Sequence, residues 1–107
     1  MNTRTAHRQY VGSLIWGIGS ALHEANEIDG RTARYVNHNL ADYLVPVNAD
    51  IAQLDAIMVS KEDKDVNPLG IKGIGELANV GAAAAISNAT GKRIRKLPIR
   101  IEDVLVM

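Results

Sequence analysis

Apolar residues recur three and four apart from Arg8 to Asn26, at Val11, Leu14, Ile15, Ile18, Leu22 and Ala25. Ser13, Ser20, His23, Glu24 and Glu27 take the opposite face. That spacing predicts an amphipathic helix, and Trp16 with its aliphatic neighbours reads as core rather than as a substrate box. Gly12, Gly17 and Gly19 fall inside it, and each costs a helix about 1 kcal/mol relative to alanine. A neighbouring backbone or a ligand lying against the helix would offset that cost. Asp29-Gly30 signals a turn, and Arg31 to Val36 reads as a short strand. The stretch from Asn37 to Pro46 mixes turn formers with apolar residues and predicts an irregular segment. Leu54 to Ser60, centred on Ile57, Met58 and Val59, has strand character and is closed by the solvated charge run from Lys61 to Asp65. A second helix is expected from Gly75 or Glu76 to a left-handed cap at Gly91, with Leu77, Val80, Ala84 and Ile86 facing inward. Glu102-Asp103 opens a last helical turn. Loose alternation without a βαβ period predicts an α+β fold of two main helices packed with a few short strands.

With 107 residues, the chain forms one domain at most, burying about two-thirds of the surface of its unfolded state. There is no phenylalanine, so alanine, valine, leucine and isoleucine must build the core, with close backbone packing or with another chain completing it. Twelve basic and twelve acidic side chains balance, giving no overall field that would draw nucleic acid or an anionic membrane. Cysteine is absent, which excludes disulfides and thiolate metal sites. The N-terminus from Met1 to Tyr10 is polar and lacks an apolar signal core, and no apolar run has the length of a membrane span, so a soluble, cytoplasmic protein is expected. His7, His23 and His38 lack metal-site spacing and read as surface or supporting residues.

Chemistry concentrates in Asn67-Pro-Leu-Gly-Ile-Lys-Gly-Ile-Gly-Glu76. Gly70, Gly73 and Gly75 let backbone approach a ligand, Lys72 adds one cation, and Glu76 places a carboxylate where a helix should begin. The plainest reading of Glu76 is a first-turn glutamate favoured by the helix dipole. Gly73-Ile-Gly75-Glu-Leu-Ala78 fits a dinucleotide fingerprint, but Asn67-Pro68 stands where a buried strand should precede it. Lys72-Gly-Ile-Gly75 resembles the hairpin of helix-hairpin-helix DNA-binding modules, with Lys92, Arg93, Arg95 and Lys96 as further phosphate contacts. The bland alternative for that basic tail is a solvated surface.

The stretch from Asn67 to Glu76 also resembles the lysine-glycine-x-glycine-glutamate signature near the C-terminus of the molybdenum-cofactor (large) subunit of the xanthine dehydrogenase and aldehyde oxidoreductase family. Further similar stretches are Ile15–Gly19, Tyr35–Tyr43, Pro46–Ile51, Ala82–Ile86, Thr90–Arg93 and Leu97–Ile99, which together cover nearly the whole chain. The resemblance implies a partial molybdopterin-binding C-terminal domain over residues 1–107. It implies Glu76 as the base in hydroxylation of an aldehyde or N-heterocycle carbon, with Lys72, Gly73, Ile74 and Gly75 beside a molybdenum-molybdopterin cofactor. No side chain of this chain is expected to ligate the metal. Lys72 is expected to orient the loop or pair with a carboxylate.

Two departures accompany the resemblance. Family members are several-fold longer, which implies a separately expressed fragment or the remnant of a broken gene, inactive alone. The remainder of the subunit, and iron–sulfur and FAD subunits or domains, would be its partners. The helix after Glu76 is also about four residues shorter than the family pattern, bringing the basic tail nearer by about 6 Å. The alternative from another class is a small self-associating or DNA-binding module without the chemistry, and a homodimer is expected of the isolated chain.

Overall fold

The computed structural model describes residues 2–60, 63 and 65–105. A 20-residue helix α1 (Thr3–Leu22) is its longest element. Asn2 starts it, its side-chain Oδ1 accepting the Thr5 N–H at 3.2 Å and so satisfying one of the free donors of the first turn. It ends where His23 and Glu24 both donate backbone N–H groups to the Gly19 carbonyl, at 2.8 and 2.9 Å.

The face that α1 buries is not the one its bulky residues predict. Ala6, Ser13, Gly17, Gly19 and Ala21 are its buried positions, whereas Trp16 is 48% exposed and Leu22 also lies open. Ala6, Ser13, Gly17 and Ala21 recur at helical spacing, forming a stripe of small side chains along which another backbone can come close. Ser13 tolerates burial because its hydroxyl donates to the Tyr10 carbonyl one turn earlier, at 2.9 Å. Trp16, expected in the core, is half exposed, and Ser13, which the spacing placed on the polar face, is buried, because closeness of approach rather than bulk decides this contact.

After α1 the chain turns at Asp29-Gly30 into a two-residue antiparallel ladder, β1 (Ile28–Asp29) with β2 (Arg34–Tyr35), pairing Ile28 with Tyr35 and Asp29 with Arg34. The strand expected from Arg31 is shorter because Asp29 captures the amides that follow it. Its carboxylate accepts from Arg31 N–H, and its carbonyl from Thr32 and Ala33. Asn37 then locks the corner, its side chain accepting Glu27 N–H and donating to the Ala25 carbonyl. Tyr43 donates its hydroxyl to Glu24 at 3.1 Å, and desolvation, then Glu24, holds its pKa above the ordinary value.

Leu54 to Ser60 forms no strand, although burial alternates along it, with Leu54, Ala56 and Met58 turned in and Ile57 and Val59 each 87% exposed. No neighbouring strand is present among the described residues to complete a ladder, and an unpaired segment makes no sheet hydrogen bonds. Within the following charge run, Lys61, Glu62 and Lys64 lie outside the described residues.

The second helix also departs from its expected start. Turns cover 75–78, a 3-10 turn follows at Asn79–Gly81, and regular α2 spans Ala82–Thr90. Hydrogen bonds of the tighter i to i+3 kind, Leu77 N–H to Ile74 O and Asn79 N–H to Glu76 O, hold this lead-in. The end is as expected, with Gly91 in the left-handed region at φ 67°. Of the residues expected inward, Leu77 and Val80 are exposed, Ala84 is exposed and Ile86 half-buried; Ala82 is the buried one. α1 packs on the Asn79–Gly81 turn and on α2.

A short α3 (Ile101–Leu105) forms where Glu102-Asp103 predicted it. Asp103 reaches back to the Arg100 N–H at 3.1 Å, and Lys92 donates its ammonium to the Asp103 and Val104 carbonyls at the other end. Lys92 thus braces α3, while Arg93, Arg95 and Lys96 are exposed. Ile99 is 1% exposed, and its N–H donates to the Ala21 carbonyl, fastening the C-terminal segment to the end of α1. Among the described residues these elements make a partial α+β fold: two main helices, a third short one and one small sheet.

Candidate functional site

The glycine-rich loop is built by its own side chains. Asn67 supplies the centre: its Oδ1 accepts from Leu69 N–H at 3.0 Å and Ile71 N–H at 3.1 Å, its Nδ2 donates to Ile71 O at 2.8 Å, and its carbonyl accepts from Gly70 N–H at 3.0 Å. One asparagine therefore closes the backbone from Asn67 to Ile71 into a ring. Gly70 sits at its tip with φ 62°, a conformation that disfavours any side chain.

A carboxylate fastens this ring from the N-terminal side. Asp63 accepts from the N–H groups of Asp65 and Val66 at 3.1 and 3.3 Å and pairs with Lys72 Nζ at 3.3 Å. The Asp65 amide first, and the Lys72 ammonium second, hold its carboxyl below the ordinary aspartate value of 3.8. Lys72 is thereby committed to the loop.

Beyond Lys72 the chain opens. Gly73, Gly75 and Glu76 are exposed and Ile74 is half-buried. Among the described residues no group takes the N–H of Gly73 or Gly75, and none hydrogen-bonds the Glu76 carboxylate. A Cβ at either glycine would meet nothing within 4 Å. Glu76 is not in the first turn of a regular helix, because α2 begins only at Ala82. Its own carbonyl accepts the Asn79 N–H at 3.0 Å, linking it to the 3-10 turn that packs on α1.

Two surface grooves lie elsewhere. One, of about 380 Å³, is lined by residues including Tyr35, Asn37, His38, Leu40 and Tyr43. The second, of about 470 Å³, lies between the end of α1 and the start of α3, with His23, Asn37, Ile99 and Arg100 among its walls. Neither contains Lys72 to Glu76. Among the described residues no cluster of three or more His, Cys, Asp or Glu side chains could hold a metal ion. What the chain offers is a wall: an uncommitted carboxylate with open backbone donors beside it. Those donors fit a large ligand carrying hydrogen-bond acceptors, as a pterin does, provided that other protein closes the far side. The helix-hairpin-helix alternative needs a helix running into Asn67, and described residues 51–78 contain none.

Sequence reasoning singled out the loop but missed Asn67 and Asp63 as its builders. The available signal was the Asn-Pro dipeptide, which marks a side-chain-closed turn.

Known proteins identify the chain's lineage. Residues 1–52 match the family described as molybdopterin cofactor-binding domain. The chain is 40% identical over 109 residues to the aldehyde oxidoreductase molybdenum-binding subunit PaoC of Escherichia coli (strain K12), covering 98% of this chain and 15% of that subunit. It is 36% identical over 103 residues to the xanthine dehydrogenase molybdenum-binding subunit of Escherichia coli O157:H7, covering 92% and 14%. With the 6-hydroxypseudooxynicotine dehydrogenase complex subunit gamma of Paenarthrobacter nicotinovorans it shares 30% identity over 112 residues, covering 97% and 14%. The chain thus spans about a seventh of these relatives' length. It belongs to the molybdenum-cofactor-binding subunits of the xanthine dehydrogenase and aldehyde oxidoreductase family, of which it represents one segment.

Proposed function

We propose that this chain carries the base-bearing loop of a molybdenum hydroxylase of aldehyde oxidoreductase or xanthine dehydrogenase type, and that it works only together with the rest of the large subunit. The observation that carries this reading is the contrast within one loop. Asp63 and residues 65–72 are fixed by Asn67, Asp63 and Lys72, whereas Glu76 is left exposed and uncommitted. A carboxylate without a partner among the described residues is available to take a proton from a group that arrives from outside.

In this reading, Glu76 accepts the proton on a carboxylate oxygen as the substrate carbon is hydroxylated. Gly73, Ile74 and Gly75 bring their backbone against the cofactor, and Lys72 fixes the loop through Asp63. Molybdenum-molybdopterin, when bound in the complete subunit, supplies the redox chemistry. The remainder of the subunit closes the site, iron–sulfur and FAD subunits or domains are its electron-transfer partners, and the assembly works in the cytoplasm. In this reading the isolated chain is inactive, because it spans about a seventh of its relatives' length and the rest of the subunit completes the site.

Replacing Glu76 with glutamine in the complete enzyme tests the assignment. Loss of a general base costs about 10²- to 10⁴-fold in turnover. The expected result is a loss of that size with molybdenum and pterin content unchanged. Undiminished turnover would remove Glu76 from the chemistry.

A further inference from the structure

We infer that Gly17, in the middle of α1, is a positioning residue for Glu76, acting through the backbone of Asn79. The inference rests on the reading of Glu76 as the base. Of the three glycines in α1, Gly12 has nothing within 4 Å of where a Cβ would lie, and Gly19 faces the Glu24 side chain and the Pro46 ring. Gly17 alone of these is pressed against backbone. A Cβ there would stand 2.9 Å from the Asn79 carbonyl oxygen, 3.0 Å from Asn79 Cα and 2.9 Å from Ala82 Cβ. None of these is the far end of a flexible side chain, so the 3-10 turn itself would have to move.

Asn79 is also the residue whose N–H donates to the Glu76 carbonyl at 3.0 Å. The lead-in from Glu76 to Asn79 is therefore one hydrogen-bonded turn, seated on α1 at its far end. At its near end the chain leaves the ring closed by Asn67 and the Asp63–Lys72 pair. Between these two anchors lie only Gly73, Ile74 and Gly75, and Gly75 has φ 32°. The direction of the carboxylate is thus set by the anchors, and the seat at Gly17 is the closer one in hydrogen-bonded terms. A methyl group at position 17 would push the Asn79 turn outward and carry Glu76 with it.

Gly12 supplies the control. Gly12→Ala adds the same methyl to the same helix and meets nothing, so it raises helix propensity without touching the turn. The experiment compares Gly17→Ala, Gly12→Ala and Glu76→Gln in the complete enzyme, following kcat, KM, molybdenum content and amide hydrogen exchange of residues 76–82. Misplacement of a reacting group by about 1 Å costs on the order of 100-fold in rate. For Gly17→Ala we expect kcat to fall by that order with KM and molybdenum content unchanged, and exchange at Asn79 to accelerate. Gly12→Ala should leave all four at the parent values. Parent kcat and parent exchange in Gly17→Ala, with Glu76→Gln inactive, would overturn the seat while leaving the base assignment standing. Full turnover in Glu76→Gln would overturn both, and faster exchange in Gly17→Ala would then report packing alone. If Gly17→Ala lowers molybdenum content in step with kcat, the seat serves assembly and the positioning role fails.

Discussion

Side chains that look incidental in the sequence decide how the glycine-rich loop is held. Asn67 commits its whole amide to the backbone of Leu69 and Ile71, and Asp63 commits its carboxylate to two amides and Lys72. Because the folded-state pKa of Asp63 is depressed, its contribution is full above the unfolded value near 3.8 and is lost as pH falls through the lower, folded value. Acidification below that point should therefore release the loop that Asp63 fastens to Lys72 before the rest of the chain. Amide exchange or limited proteolysis at decreasing pH checks this, and Asp63→Asn should show the released behaviour already at neutral pH. Glu76 stands out as a candidate because carboxylate and glycines stand together in the sequence. Its exposure was not, since whether an element begins at residue 75 or 82 depends on how closely α1 approaches.

Elements here are recognised by sequence more easily than oriented by it. α3, the Asp29-Gly30 turn and the Gly91 cap form where caps and spacing indicate, whereas α1 (Thr3–Leu22) starts and ends earlier than the expected Arg8 to Asn26, because Asn2 caps it and Gly19 takes the closing N–H groups. Their packing does not follow hydrophobic bulk. α1 buries its small residues because closeness of backbones decides the contact, and α2 buries Ala82 while Leu77 and Val80 in the lead-in before it stay exposed. Leu54 to Ser60 shows the related failure: strand-like composition makes no strand where no partner strand is offered. Ile99 is the largest fully buried side chain among the described residues and joins the C-terminal segment to α1. Truncating a buried isoleucine to alanine costs about 2–5 kcal/mol, whereas an exposed substitution stays within about 0.5 kcal/mol. Denaturant unfolding of the complete subunit should thus place Ile99→Ala well below the parent.

The whole molecule is open. Its radius of gyration is 17.5 Å, against about 13 Å for a compact domain of 100 residues. Leu40, Ile57, Val59, Leu69 and Val80 are each at least 80% exposed. Faces of this kind are ordinary where another part of a protein covers them, which agrees with relatives about seven times longer. Among the described residues no helix is long and apolar enough to cross a membrane. Expressed alone, the chain should hide its exposed apolar faces by pairing with itself. Sedimentation should show dimers or larger species at high concentration, and a strictly monomeric chain would contradict the need for cover.

A pair of chimeras puts the central claim to its most direct test. In the aldehyde oxidoreductase subunit that is 40% identical to this chain, the corresponding segment is replaced by residues 1–107. One chimera keeps Glu76, the other carries Glu76→Gln, and aldehyde turnover per bound molybdenum is measured in both. The account predicts turnover in the Glu76 chimera and a fall of about 100-fold or more in its Glu76→Gln counterpart at equal molybdenum loading. Equal turnover per molybdenum in the two chimeras would contradict it.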